Sequence, residues 1–129
     1  MGRSYYFYIA FFITLAIGVG SLISTNNAKV ENILMYDKVV HAGAYCILTL
    51  SWLLALNNKV KSLKSSILIL ILIFIYGIII ELLQGVFTSD RNADLLDIIA
   101  NTVGILIAII VFKSILKKNK LFKKIYLEK

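Results

Sequence analysis

The chain has no proline, one cysteine, one histidine and one tryptophan, and only 16% of its 129 residues are charged. A soluble domain carries about 25% charge and more turn residues, so an ordinary soluble fold is excluded. The lone Cys46 excludes an intrachain disulfide, says little about compartment, and reads as a small apolar packing residue. No Gly/Ser linker, low-complexity segment or repeat divides the chain, which argues for one domain. Also absent are H-E-x-x-H, paired Cys/His metal spacing and a G-x-S-x-G nucleophile motif.

What the chain does have is apolar length: 60% of its residues are hydrophobic. Four runs, Tyr5 to Ile23, Val39 to Leu56, Ile67 to Phe87 and Leu95 to Phe112, each hold 18 residues or more. At about 1.5 Å per residue, each spans a hydrocarbon core roughly 30 Å thick. The expected fold is an all-α membrane protein, an antiparallel bundle of four transmembrane helices over residues 1–112, with a basic tail over 113–129. Polar residues near one end of the second and fourth runs leave three helices plus a re-entrant segment as the alternative. Arg3 ahead of the first run resembles a signal peptide. The run is long for one, and "SLISTNNAK" offers no clear small-x-small cleavage site, so a retained anchor is expected.

The 14 basic residues divide unevenly. Eleven precede the first run, join the second to the third, or follow the fourth, whereas Lys29, Lys38 and Arg91 stand on the other side. The positive-inside bias then places both termini in the cytoplasm, with loops 24–36 and 88–94 outside. Six of the seven acids lie on the outer side, giving it a net charge of −3 and the inner side +10, which together recover the +7 of the chain. A basic inner face suits anionic lipid headgroups and makes nucleic acid a poor partner. The tail "LKKNKLFKKIYLEK" admits two readings, an amphipathic helix on the inner leaflet or a solvated stop-transfer tail.

Each of the last three helices carries a polar stripe at its outer end. Asp37, His41 and Tyr45 are four apart on the second helix. Glu81 and Gln84 share a face of the third; Asp94, Asp97 and Asn101 share one of the fourth. Glu81 and Asn101 lie about 9–10 Å below the interface at 1.5 Å per residue. Ionisable groups in spans face the bundle interior rather than lipid. The stripes are therefore expected to converge on a small polar cavity open to the outside, with Lys38 and Arg91 at its rim.

The order D-K-x-x-H-x-x-x-Y, G-x-x-x-E-x-x-Q and R-x-x-D-x-x-D-x-x-x-N-x-x-G, carried here by Asp37 to Tyr45, Gly77 to Gln84 and Arg91 to Gly104, resembles the VanZ-like family of small bacterial membrane proteins. The resemblance covers about residues 33 to 108. That family is named for a protein that raises resistance to the glycopeptide teicoplanin, so the resemblance implies a bacterial cell membrane and a role at its outer face. Two departures stand out. Ser89 and Asp90 precede the arginine where the family often has Pro or Gly, and Ala108 replaces a second glycine. Gly104 and Ala108 still form a small-xxx-small pair suited to close helix contact.

The expected binding set is Asp37, Lys38, His41, Tyr45, Glu81, Gln84, Arg91, Asp94, Asp97 and Asn101. His41, Glu81 and Asp97 are the candidates for acid–base chemistry. Asp37, His41, Glu81 and Asp97 have the chemistry for a divalent ion, although no cofactor is required. The bland alternative is a buried network fixing helix register, with Arg91 on Asp94 or Asp97 and His41 on Glu81. Trp52 and Tyr76 read as packing and interfacial anchors. Two functions follow: a non-enzymatic binder of a lipid-linked cell-wall precursor or lipophilic glycopeptide, or a membrane-embedded enzyme acting on a lipid-linked envelope substrate. Four short helices leave little room for the alternating access of a transporter. The charge split makes a direct prediction: reporter fusions at residue 60 and at the C-terminus will read cytoplasmic, and one at residue 28 external. An external C-terminus overturns the orientation.

Overall fold

The computed structural model describes residues 2–23, 33–56, 63–87 and 94–126. They form four helices: α1 (Gly2–Leu22), α2 (Ile33–Ala55), α3 (Leu63–Phe87) and α4 (Leu95–Tyr126). All four contain a stretch long and apolar enough to cross a membrane. Apolar side chains such as Leu72, Ile79, Leu82, Leu106 and Ile110 stand exposed around the bundle. In water that surface would aggregate; in lipid it is the solvated face. The protein is a multi-pass membrane protein.

Two boundaries differ from the hydropathy reading. α2 begins at Ile33, six residues ahead of the apolar run, and Asp37 and Lys38 lie in its second turn. α4 continues through the lysines to Tyr126. Its 32 residues measure about 48 Å, well beyond the roughly 30 Å of a bilayer core. Lysine is a good helix former, so charge ends the apolar run without ending the helix. The backbone of the tail is thus an unbroken extension of α4 as far as Tyr126.

Consecutive helices run antiparallel, as short connections require. Trp52 near the end of α2 meets Thr14 of α1, Tyr45 meets Gly77, and Glu81 meets Asp94. The most extensive contact, however, joins α2 to α4, which are not neighbours in sequence and run parallel. α2 and α3 each touch all three other helices, and α1 and α4 lie on opposite sides of that pair without touching among the described residues. The core beneath the polar end is Leu48, Leu53, Ile69, Ile73, Ile105 and Phe112. An apolar cavity of about 260 Å³ lies among α1, α2 and α3, lined by Leu48, Trp52, Leu56, Ile69 and Ile73 among others.

The threonine hydroxyls described in the spans are satisfied locally. Thr14, Thr49 and Thr102 each donate to the carbonyl four residues back at 2.7–2.8 Å. α1 is tied on by two polar contacts at one level. Trp52 Nε1 donates to Thr14 Oγ1 at 3.0 Å, and Tyr76 Oη donates to the Thr14 carbonyl at 2.6 Å. Phe7 packs edge-on against Trp52. Trp52 and Tyr76 are therefore packing residues inside the bundle, and their polar tips are spent on α1.

The α2–α4 contact turns on Gly104. A methyl group there would overlap the Ala42 carbonyl oxygen and approach its carbon to 2.9 Å and Cys46 N to 3.0 Å. Ala108, fully buried, lies one turn further along α4. This is the small-xxx-small contact that lets two backbones meet. Backbone atoms cannot swing aside as a side chain can. Gly104→Ala will therefore cost about 1–3 kcal/mol or more in detergent-solubilised thermal unfolding. Gly43→Ala, where an added methyl meets nothing within 4 Å, will leave stability within about 0.5 kcal/mol.

Candidate functional site

Asp94 stands immediately before Leu95, the first residue of α4, in the position that caps a helix. Its Oδ1 accepts from Leu96 N at 2.9 Å, and its carbonyl accepts from Asp97 N at 3.0 Å. Asp97 follows in the first turn, where the helix dipole favours an anion. The start of α4 thus presents two carboxylates to the facing helix, and α2 answers with Lys38. The Lys38 ammonium donates to Asp94 Oδ2 at 2.5 Å and also to Asp97 Oδ1. It lies 4.0 Å from Asp37 Oδ2. Bonding to Lys38, and next the Leu96 N–H, hold the Asp94 carboxyl below its ordinary range. The Asp94–Lys38 contact is accordingly intact at neutral pH, and is lost only as pH falls below the usual aspartate range.

One turn deeper, His41 Nδ1 lies 3.1 Å from Asn101 Oδ1. An amide oxygen only accepts, so Nδ1 carries the proton. His41 Nε2 then faces Asp97 Oδ2 at 3.9 Å and Asp37 Oδ1 at 4.0 Å. One ligand atom from each of Asp37, His41 and Asp97 falls within 4.8 Å of the others, the only such group among the described residues.

α3 contributes Glu81, only 2% exposed. Its Oε1 accepts the backbone N–H of Asp94 at 2.7 Å, while Oε2 has no hydrogen-bond partner among the described residues. Tyr45 is equally buried, and its hydroxyl also lacks a partner among the described residues. The Tyr45 ring covers Gly77, one turn along α3 from Glu81; a methyl at Gly77 would stand 3.0–3.3 Å from that ring.

The structure therefore brings Asp37, Lys38, His41, Glu81, Asp94, Asp97 and Asn101 into one connected cluster. Three expectations are revised. Lys38 is at the centre, not the rim. His41 hydrogen-bonds Asn101 and faces the two aspartates, while Glu81 turns to the Asp94 backbone, so the His41–Glu81 pair is not formed. Gln84 lies on the Glu81 side of α3 but its Nε2 donates to the Ser21 carbonyl of α1 at 2.9 Å. Ser21 belongs to the last turn of α1, whose carbonyls lack intrahelical partners. Nothing in the sequence marked Ser21, because its contribution is backbone. Arg91 lies outside the described residues. Lys38→Met will leave Asp94 and Asp97 without their shared cation, and the melting temperature in detergent will fall by several degrees. Lys38→Arg will restore most of it, because charge and reach are both kept.

The comparisons with known proteins now bear on this geometry. A family model described as VanZ/LLP1 matches residues 4–117, nearly the whole chain and every residue of the cluster. A comparison with curated proteins finds no match, and one with solved structures finds none either. The extent of the family match is decisive: the chain belongs to the VanZ/LLP1 family.

Proposed function

We propose that the protein binds the polar part of a lipid-linked envelope precursor or lipophilic glycopeptide at the outer face of a bacterial cell membrane, contributing to antibiotic resistance or envelope homeostasis. The family supports the setting. The charge split supports the orientation, with both termini cytoplasmic and the basic segments against anionic lipid. The observation that carries the reading is the pair of orphaned polar atoms, Tyr45 Oη and Glu81 Oε2. A network serving only helix register would satisfy its members, as Lys38, Asp94 and Asn101 are satisfied. Leaving a buried polar group unpaired costs about 1–3 kcal/mol, more for a charged one. Such a cost persists where function demands it.

The second reading is a membrane-embedded enzyme acting on a lipid-linked substrate, with His41 and Glu81 or Asp97 as acid and base. The observation in its favour is His41 itself, oriented by Asn101 and set between two carboxylates.

Two substitutions separate site from scaffold. Tyr45→Phe removes an unsatisfied hydroxyl and keeps the ring over Gly77. Glu81→Gln keeps an acceptor for the Asp94 N–H and removes only the carboxylate. Tyr45→Phe is expected to melt at or above the parent because an unsatisfied group is lost, and Glu81→Gln within about 1 kcal/mol of it because the charge goes while the Asp94 N–H keeps its acceptor. Both are expected to lose most of the glycopeptide-resistance or envelope phenotype. Stable variants with full phenotype would refute the binding role of these two atoms. Turnover of a lipid-linked precursor by the purified protein, abolished in His41→Gln, would favour the enzyme.

A further inference from the structure

We propose that the apolar cavity among α1, α2 and α3 binds one acyl chain of a bilayer phospholipid, taken from the leaflet away from the polar cluster. The site stands independently of how that cluster is read. Its origin is the way α1 is attached. Trp52 Nε1 reaches Thr14 Oγ1 from α2, and Tyr76 Oη reaches the Thr14 carbonyl from α3. Two large side chains thus hold α1 by their tips, a ring's length from the helices that carry them. The space this leaves measures about 260 Å³, walled by Leu48 and Ile73 and continuing to Leu56 and Ile69.

The lining decides the kind of occupant. A buried water needs about two to four polar partners. The polar groups of this wall are Thr14 and the tips of Trp52 and Tyr76, and their donors are spent. Thr14 Oγ1 donates to the Ala10 carbonyl, and the other two donate to Thr14. The rest of the wall is leucine and isoleucine. A cavity so lined stays dry and accepts apolar molecules. Left empty, it forfeits the dispersion contacts of every side chain around it. Leu72, part of the wall, is 57% exposed, so the cavity opens sideways. Within a membrane, what lies at that opening is hydrocarbon chain.

Depth decides its source. On the side away from the polar cluster, the span of α2 ends at Ala55 and that of α3 begins at Ser66. Leu48 is seven residues from Ala55 and Tyr76 ten from Ser66, about 10 and 15 Å at 1.5 Å per residue. The cavity therefore runs from one edge of the hydrocarbon core to about its middle, the depth of one leaflet in a core roughly 30 Å thick. Toward the polar cluster the way is closed. The Tyr45 ring lies on Gly77, and the Tyr76 hydroxyl would stand 2.7 Å from a methyl at Gly18. Gln84 then joins α3 to the Ser21 carbonyl. A tail descending from a ligand at the cluster has to part these contacts. A chain of the nearer leaflet enters beside Leu72 and parts none.

Trp52, the one tryptophan of the chain, stands in the wall and reports on the occupant. The full chain is taken up in a rigid sterol-based detergent, which has no flexible alkyl chain to compete. It is then titrated with phosphatidylglycerol brominated on its acyl chains, which quenches indole fluorescence on contact. Quenching is expected to saturate at one lipid per chain, and native mass spectrometry to find one phospholipid retained. Ile73→Phe and Leu56→Phe fill the cavity from two walls, and each is expected to weaken the lipid at least tenfold. Leu106→Phe, on the exposed face of α4, is expected to leave it unchanged. Quenching of the parent that rises without saturation overturns the site, as does undiminished binding in folded Ile73→Phe or Leu56→Phe. Weakening by Glu81→Gln assigns the chain to a ligand of the polar cluster and overturns the source.

Discussion

The polar cluster at the start of α4 depends on how closely α4 can approach α2, and Gly104 sets that approach. Because its missing side chain lets the Ala42 carbonyl lie against the α4 backbone, groups one and two turns further out are within direct reach of each other. Asn101 is three residues before Gly104, and it meets His41. Asp97 is seven before, and it meets Lys38. A wider helix pair would separate these side chains, and water or lipid would have to fill the space. In a hydrocarbon surrounding neither remedy serves, because each unpaired polar group there costs several kcal/mol. The small-residue contact and the ionic cluster are two levels of one interface.

Glu81 is the member whose presence most needs explaining, since α3 is the most apolar helix of the four. Its carboxylate is half used. Oε1 takes the backbone N–H of Asp94, one of the donors left over at the start of α4, and so fixes where α4 begins relative to α3. Oε2 takes nothing among the described residues. The structural and functional parts of one side chain are thereby divided between its two oxygens. Glu81→Gln is informative for that reason, since it preserves the first and alters the second.

The sequence made the stripes legible because helical spacing is strict. Asp37 and His41 share a face, as do Asp94, Asp97 and Asn101, and these faces do meet. Lys38 was harder to place. It is one residue from Asp37, so its Cα lies about 100° around the helix at 3.6 residues per turn. Its long flexible stem carries the ammonium back to the cluster, which a pattern of positions does not capture. Gln84 shows the opposite failure. Its position beside Glu81 was legible, but one of its contacts is to a backbone carbonyl of α1, and every residue has such a carbonyl. The parallel pairing of α2 with α4 was also beyond reach of short-loop reasoning, which speaks only of consecutive helices. The small-xxx-small pair at Gly104 and Ala108 identified the contact surface of α4, though not the helix it would meet.

Parallel pairing carries an electrostatic cost that the charge pattern of the chain offsets. Two parallel helices side by side bring like ends of their dipoles together, each equivalent to about half a charge. At the common start of α2 and α4 those ends are positive, and there the chain places Asp94 and Asp97 in the first turn of α4 and Asp37 in the second turn of α2. Toward the other end the ends are negative, and there a run of lysines continues through the last turns of α4. The same distribution that read as a rule of membrane orientation is therefore a condition of the packing itself. Two helix starts tolerate anions on their own account, and the acids of the two helices gather at those starts.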